Sequence, residues 1–236
     1  MFYSKQLTAL FFQSIHIIVI NNKIILFKWK FFGVTRMFNN TQEDYGEISN
    51  KLQTMFELDK SPVSVKLYEY EEEASEILSK YEGKDRHCGF VYEVAKNKDV
   101  FYVTYDEISC PNGAIALGLL DAKLIDGVPK VDPIMKAIGY APLEKSPFKP
   151  DSIVMYVNPI QVMKISQILR QATGKRLQAD FGGIASLCAD VVAKPYLTNE
   201  SNVSFACNGS RGFTDIDDGE LVIGLTMEDV LSLVNY

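Results

Sequence analysis

Hydrophobic and polar positions change period along the chain, and each change marks an element. Tyr45, Ile48, Leu52, Met55 and Phe56 fall close to helical spacing behind Asn39, Asn40 and Thr41, three good capping residues, so the stretch up to Phe56 predicts an amphipathic helix. Asp59-Lys60-Ser61-Pro62 breaks it, and Val63, Val65 and Leu67 then alternate with polar residues as a strand does. Residues 70–81 return to helical spacing through Ala74, Ile77, Leu78 and Tyr81, with Glu71, Glu72 and Glu73 placed at the positive end of that helix as a solvated first turn. A short helix is predicted over 88–96. The β-branched and aromatic run at 100–105 predicts a strand, and Pro111-Asn112-Gly113 a turn before a helix of small apolar residues at 114–120.

Residues 121–150 carry Gly127, Pro129, Pro133, Gly139, Pro142, Pro147 and Pro150, which predicts a surface connector or covering loop with a short helix near 134–138. The pattern then restarts. PDSIVMYVNPIQVMKISQIL, from residue 150, repeats the proline, alternating strand, tyrosine and following helix of SPVSVKLYEYEEEASEIL, from residue 61. Ile153, Met155 and Val157 should share one face of a strand, and a helix should start near Pro159 and end at Gly174. Gly182-Gly183, a helix carrying Cys188, an apolar strand before Leu225 and a closing helix over 227–234 complete the chain. The predicted class is α/β, with α+β as the alternative: two similar strand-helix halves, about 58–120 and 150–236, forming mixed sheets covered by helices within one domain at 37–236.

Residues 1–36 are of a different character. They hold Lys5, Lys23, Lys28, Lys30 and Arg36, no acid, and Trp29, the single tryptophan. The apolar stretch there is interrupted by Gln13, Ser14, His16, Asn21, Asn22 and Lys23, whereas a spanning helix needs about 20 largely apolar residues. The expectation is an extension outside the functional domain, translated upstream of a start at Met37, with a membrane-surface segment as the alternative and the only route to membrane contact. Composition is otherwise that of an ordinary globular protein, 236 residues with 47% hydrophobic and 23% charged. A net charge of -6 supplies no basic field for a phosphate backbone, which argues against nucleic acid as a partner.

Four cysteines without a close pair are too sparse for a disulfide scaffold and read as cytoplasmic thiols. Their contexts repeat: Cys88 and Cys188 each open or sit in a short helix, while Cys110 and Cys207 each follow a strand and precede Asn-Gly, at Asn112-Gly113 and Asn208-Gly209. Such turns present backbone N–H groups to an anion or carbonyl oxygen. Cys88, Cys110, Cys188 and Cys207 together could ligate zinc or an iron–sulfur cluster, line a ligand pocket, or be buried structural thiols. Arg211 is a candidate anion fork or a structural partner of Asp215, Asp217 or Asp218. Those acids with Glu220 read as a turn cap sooner than a cation site. His87 beside Cys88 does not form a nucleophilic pair, because adjacent helical residues point apart.

Taken together, SPVSVKL, the segment from Cys110 to Gly118, the segment from Ala185 to Asp190 with Pro195 after it, and Cys207-Asn208-Gly209-Ser210-Arg211 followed by Asp218-Gly219-Glu220 resemble the domain of unknown function 169 family over residues 58–236. That resemblance implies a cytoplasmic prokaryotic protein, often of anaerobes, without an established activity. It adds weight to Cys110, Cys188, Cys207, Gly209, Arg211 and Glu220 as site residues.

The functional expectation is a cysteine-lined site binding a metal, an iron–sulfur cluster or a small anionic ligand. The alternatives are a cysteine-dependent enzyme of small-molecule metabolism, with the Asn-Gly turn as oxyanion site, and a non-catalytic subunit of a complex.

Overall fold

The structure is a computed structural model that describes residues 9–12, 15–20, 23–27 and 44–236 except 125. The chain divides into two units, Met1–Glu43 and Asp44–Tyr236. In the first, β1 (Ala9–Phe12), β2 (Ile15–Ile20) and β3 (Lys23–Phe27) form an antiparallel meander. Trp29, the start at Met37 and the expected caps Asn39, Asn40 and Thr41 lie outside the described residues. Among the described residues no helix is long and apolar enough to cross a membrane.

The second unit opens with α1 (Tyr45–Phe56), capped by the Asp44 side chain, which accepts from the Glu47 N–H at 3.0 Å. The first half follows as β4 (Val63–Tyr68), α2 (Glu71–Ser75), α3 (His87–Asn97), β5 (Phe101–Val103), α4 (Pro111–Ala116) and β6 (Ala137–Pro142). The second half runs β7 (Ser152–Val157), α5 (Pro159–Thr173), α6 (Ser186–Cys188), a π-helical turn Ala189–Ala193, α7 (Lys194–Thr198), β8 (Asn202–Ser204), α8 (Asn208–Phe213) and β9 (Leu221–Leu225). The helix α9 (Met227–Val234) closes the chain.

All six strands of this unit join one sheet in the order β5-β6-β4-β7-β9-β8, and every pairing is antiparallel. The fold is therefore of the mixed class, in its α+β form. Outward from the central β4–β7 pair, each half contributes its first, third and second strand, so the two halves are related by a pseudo-twofold between β4 and β7. Each half also places a helix before its short second strand and a short helix directly after it. The duplication read from the sequence is thus a duplication of topology.

Both faces of the sheet are covered. Ile153, Met155 and Val157 of β7 pack with Leu52 and Phe56 of α1, Ile165 and Leu169 of α5, and Val230 and Leu233 of α9. The alternate residues Val154 and Tyr156 face the opposite layer with Phe90, Val91 and Val94 of α3 and Val191 and Val192 of the π turn. This second layer carries the cysteines.

Three local expectations are corrected. The stretch 121–150 is no mere connector, since it contains β6, all of whose residues are buried between β4 and β5. A side chain at Gly139 would crowd Leu78, Tyr68 and Phe148, so close packing on small residues erases the alternation that identifies a strand. The helix expected over 70–81 stops at Ser75, because Tyr81 N–H and Ser79 C=O are taken by Tyr102 of β5. Pro111-Asn112-Gly113 is not a turn before α4 but its first turn, with Cys110 as N-cap and proline at the tolerated first position.

Candidate functional site

The starts of four helices, two from each half, surround one cavity of about 220 Å³. Arg86, His87 and Cys88 enter it from the head of α3; Cys110, Asn112 and Gly113 from the head of α4; Gly183, Ile184, Ala185, Leu187 and Cys188 from α6 and the loop before it; and Cys207, Asn208, Gly209 and Ser210 from the head of α8. All four cysteines of the chain line this hollow, and among the described residues no carboxylate does. They meet because antiparallel pairing of β4 with β7 swings corresponding helix heads toward the same side of the pseudo-axis.

Local backbone features hold the lining in place. Ala185, a non-glycine residue, adopts the left-handed conformation with φ of 52°, and the helix beyond it widens into the π turn, a feature often found at functional sites. Val191 C=O within that turn accepts from the Ser152 hydroxyl of β7 at 2.6 Å. Asn202 of β8 donates to the carbonyls of Asp180 and Asp190 at 2.9 and 3.1 Å, fixing the loop before α6.

The four sulfurs differ in environment. Cys88 and Cys188 are buried, whereas Cys110 and Cys207 are half-buried. Cys188 donates to Ala185 C=O at 3.0 Å, and burial drives its pKa well above the ordinary thiol value. Burial likewise pushes Cys88 up to about 11. Burial also acts upward on Cys207, but hydrogen bonds from the Ser210 hydroxyl and from the backbone of Ser210, Ser186 and Gly209 outweigh it, and its pKa falls below the ordinary value. The Ser210 N–H and hydroxyl stand 3.4 and 3.3 Å from Cys207 Sγ. Cys207 is thus the N-cap of α8, with the sulfur itself accepting from the first turn.

His87 is buried, with Nδ1 2.8 Å from the Tyr140 hydroxyl of β6. Burial lowers the His87 pKa to about 3, against a smaller opposing effect of the Leu187 backbone, and the ring is neutral. At the edge of the lining the Arg86 guanidinium stacks 3.3 Å from the Phe213 ring centre.

The residues singled out from sequence divide into two groups. Cys88, Cys110, Asn112, Gly113, Cys188, Cys207, Asn208 and Gly209 line the cavity. Arg211 and Glu220 do not. The Arg211 guanidinium donates to the carbonyls of Phe205, Asp217 and Glu220 at 3.0, 3.0 and 2.6 Å, strapping α8 to the turn before β9. Glu220 pairs with Lys60 and accepts from Asp217 N–H. The Asp217 side chain accepts from Gly219 N–H at 2.8 Å, a turn cap. Ser210, Ser186 and Tyr140 went unnoticed in the sequence, although Ser210 lies within the Cys207 motif. Among the described residues no three His, Cys, Asp or Glu side chains are placed to hold a metal ion together. The four sulfurs line one hollow.

Comparison with known proteins places the chain among relatives. The DUF169 family model, described as uncharacterised ArCR, matches residues 51–127 and 120–235. The chain belongs to this family. The first matched stretch spans β4 through α4, and the second spans β6 through α9. The chain is also 32% identical to the uncharacterised protein MJ0308 of Methanocaldococcus jannaschii, over 80% of this chain and 91% of that protein. No solved structure matches the chain.

Proposed function

We propose that this DUF169 protein binds a small uncharged or anionic molecule in the four-cysteine cavity and acts on it through the Cys207 thiolate. The observation that carries the reading is the contrast between sulfurs in one hollow: hydrogen bonds from the head of α8 favour the charged form of Cys207, while burial keeps Cys88 and Cys188 protonated. A thiolate is the nucleophilic form of cysteine, and a partly exposed thiol with a lowered pKa is the usual setting of a reactive one. The lining supports the ligand class. Among the described residues it contains no acid to hold a cation, two asparagines to orient a polar group, and Arg86. The Asn-Gly backbone offers donors, and the neutral His87 ring adds no charge.

The test is timed alkylation of the reduced, anaerobically purified protein with iodoacetamide, followed by peptide mapping and metal analysis. Cys207 is expected to react first, and Cys88 and Cys188 last. Equal rates at all four cysteines would remove the reading, and a stoichiometric metal released only when the thiols are modified would replace it with a metal centre.

A further inference from the structure

The Ser210 hydroxyl stands 3.3 Å from Cys207 Sγ, and the Cys88 thiol lines the same hollow from the other half of the fold. Cys88 lies in the first turn of α3, Cys207 caps α8, and these two helices pack against each other. Both sulfurs line the same cavity, and charge on Cys207 is felt at Cys88. Cys188 is engaged elsewhere, since its thiol donates to Ala185 C=O within its own half. No disulfide joins any of the four cysteines, so none is already committed to another partner.

We propose that Cys207 and Cys88 form a dithiol–disulfide couple that exchanges electrons with a low-molecular-weight disulfide entering the cavity. The inference rests on Cys207 being the reactive thiolate. Cys207 attacks one sulfur of the small disulfide; a bond forms between them, the original S–S bond breaks, and the departing thiolate takes up a proton. Cys88 then loses its proton and attacks the Cys207 sulfur, forming the Cys88–Cys207 bond and expelling the second small thiol, protonated as it leaves. Two electrons pass from the protein to the small disulfide, which becomes two thiols. The division of labour follows from the surroundings. Cys207, whose charged form its hydrogen bonds favour, attacks first, while Cys88, kept protonated by burial, places no second negative charge beside it and is strongly nucleophilic once deprotonated. The new bond would tie α3 to α8 across the cavity.

The test uses the full reduced chain, treated without oxygen with 2-hydroxyethyl disulfide, quenched in acid and mapped by mass spectrometry. A peptide pair linked through Cys88 and Cys207 is expected in the unaltered chain. In Cys88→Ser the exchange should stall, with the small-thiol adduct on Cys207 accumulating at least about tenfold above its level in the unaltered chain. An adduct that persists on Cys207 in the unaltered chain, or a link from Cys207 to Cys110 or Cys188, overturns the couple while leaving the Cys207 thiolate in place. Reaction at other cysteines ahead of Cys207 overturns both. Because the linkage is mapped in the unaltered chain, the outcome stands even if Cys88→Ser folds poorly.

Discussion

Replacing Ser210 by alanine isolates what lowers the Cys207 pKa. The change removes the hydroxyl 3.3 Å from Sγ and keeps the Ser210 N–H donor, and Ser210 C=O remains free to accept from the Thr214 hydroxyl at 2.7 Å. A hydrogen bond to a charged group contributes about 1.5–3 kcal/mol. At about 1.36 kcal/mol for each pKa unit, its loss should raise the Cys207 pKa by about 1 to 2. Below that pKa the thiolate fraction drops accordingly, but the surviving thiolate is more nucleophilic, with a Brønsted slope of about 0.4–0.5, so alkylation near neutral pH should slow by roughly 3- to 15-fold. The measurement is the pH dependence of the iodoacetamide rate at Cys207, read by peptide mapping and checked by ultraviolet thiolate absorbance. A midpoint that rises together with a slower rate supports the assignment. An unchanged midpoint would refute it and leave the backbone donors of Ser186, Gly209 and Ser210 as the sole source of the effect. Thermal unfolding of the variant separates this from damage to the fold.

Other outcomes follow from the packing around the site. Gly224→Ala places a methyl group into the Val191 carbonyl, which Ser152 already holds, so urea unfolding should show a loss of about 1–3 kcal/mol or more, and Cys188 on the adjoining turn should become more reactive. Arg211→Lys gives up a fork that serves three carbonyls at once and should cost about 1–3 kcal/mol in the same assay, with the Cys207 alkylation midpoint affected less than in Ser210→Ala. His87 is held neutral with a folded pKa of about 3, below its unfolded value of about 6.5, so the unfolded chain binds the extra proton between those limits. Its contribution to stability is fully present above about pH 6.5 and is lost as pH falls toward about 3; His87→Gln should flatten the unfolding free energy over that window relative to the unaltered chain, and identical slopes would show that this ring does not titrate on unfolding.

Much of the secondary structure was legible because its signals are local. The helix α5 begins at Pro159 behind the Asn158 cap and ends at the left-handed Gly174, and α9 follows its own Thr226 cap; each boundary is written in two or three adjacent residues. The strand β7 was legible because its alternation feeds two different cores. By contrast β6 was not, since a strand covered on both faces and built partly from small residues carries no period. The short α2 was overestimated because its end is set by hydrogen bonds to β5, some twenty residues away in the chain.

The candidate site divides along the same line. The sequence by itself determined which residues recur: a cysteine in a helix head and a cysteine before Asn-Gly, once in each half, since those motifs depend on neighbours in the chain. That the four thiols face a single hollow was decided by the antiparallel β4–β7 pairing, an interaction between residues about ninety positions apart. The tertiary structure also decided that the charged form is favoured at Cys207 and disfavoured at Cys88 and Cys188, because the donors around Cys207 include the backbone of Ser186, brought in from another element, and because burial is a property of the packed layer. Arg211 and Glu220 carried the right chemistry for a ligand, but carbonyls and a lysine supplied by the fold claimed them first.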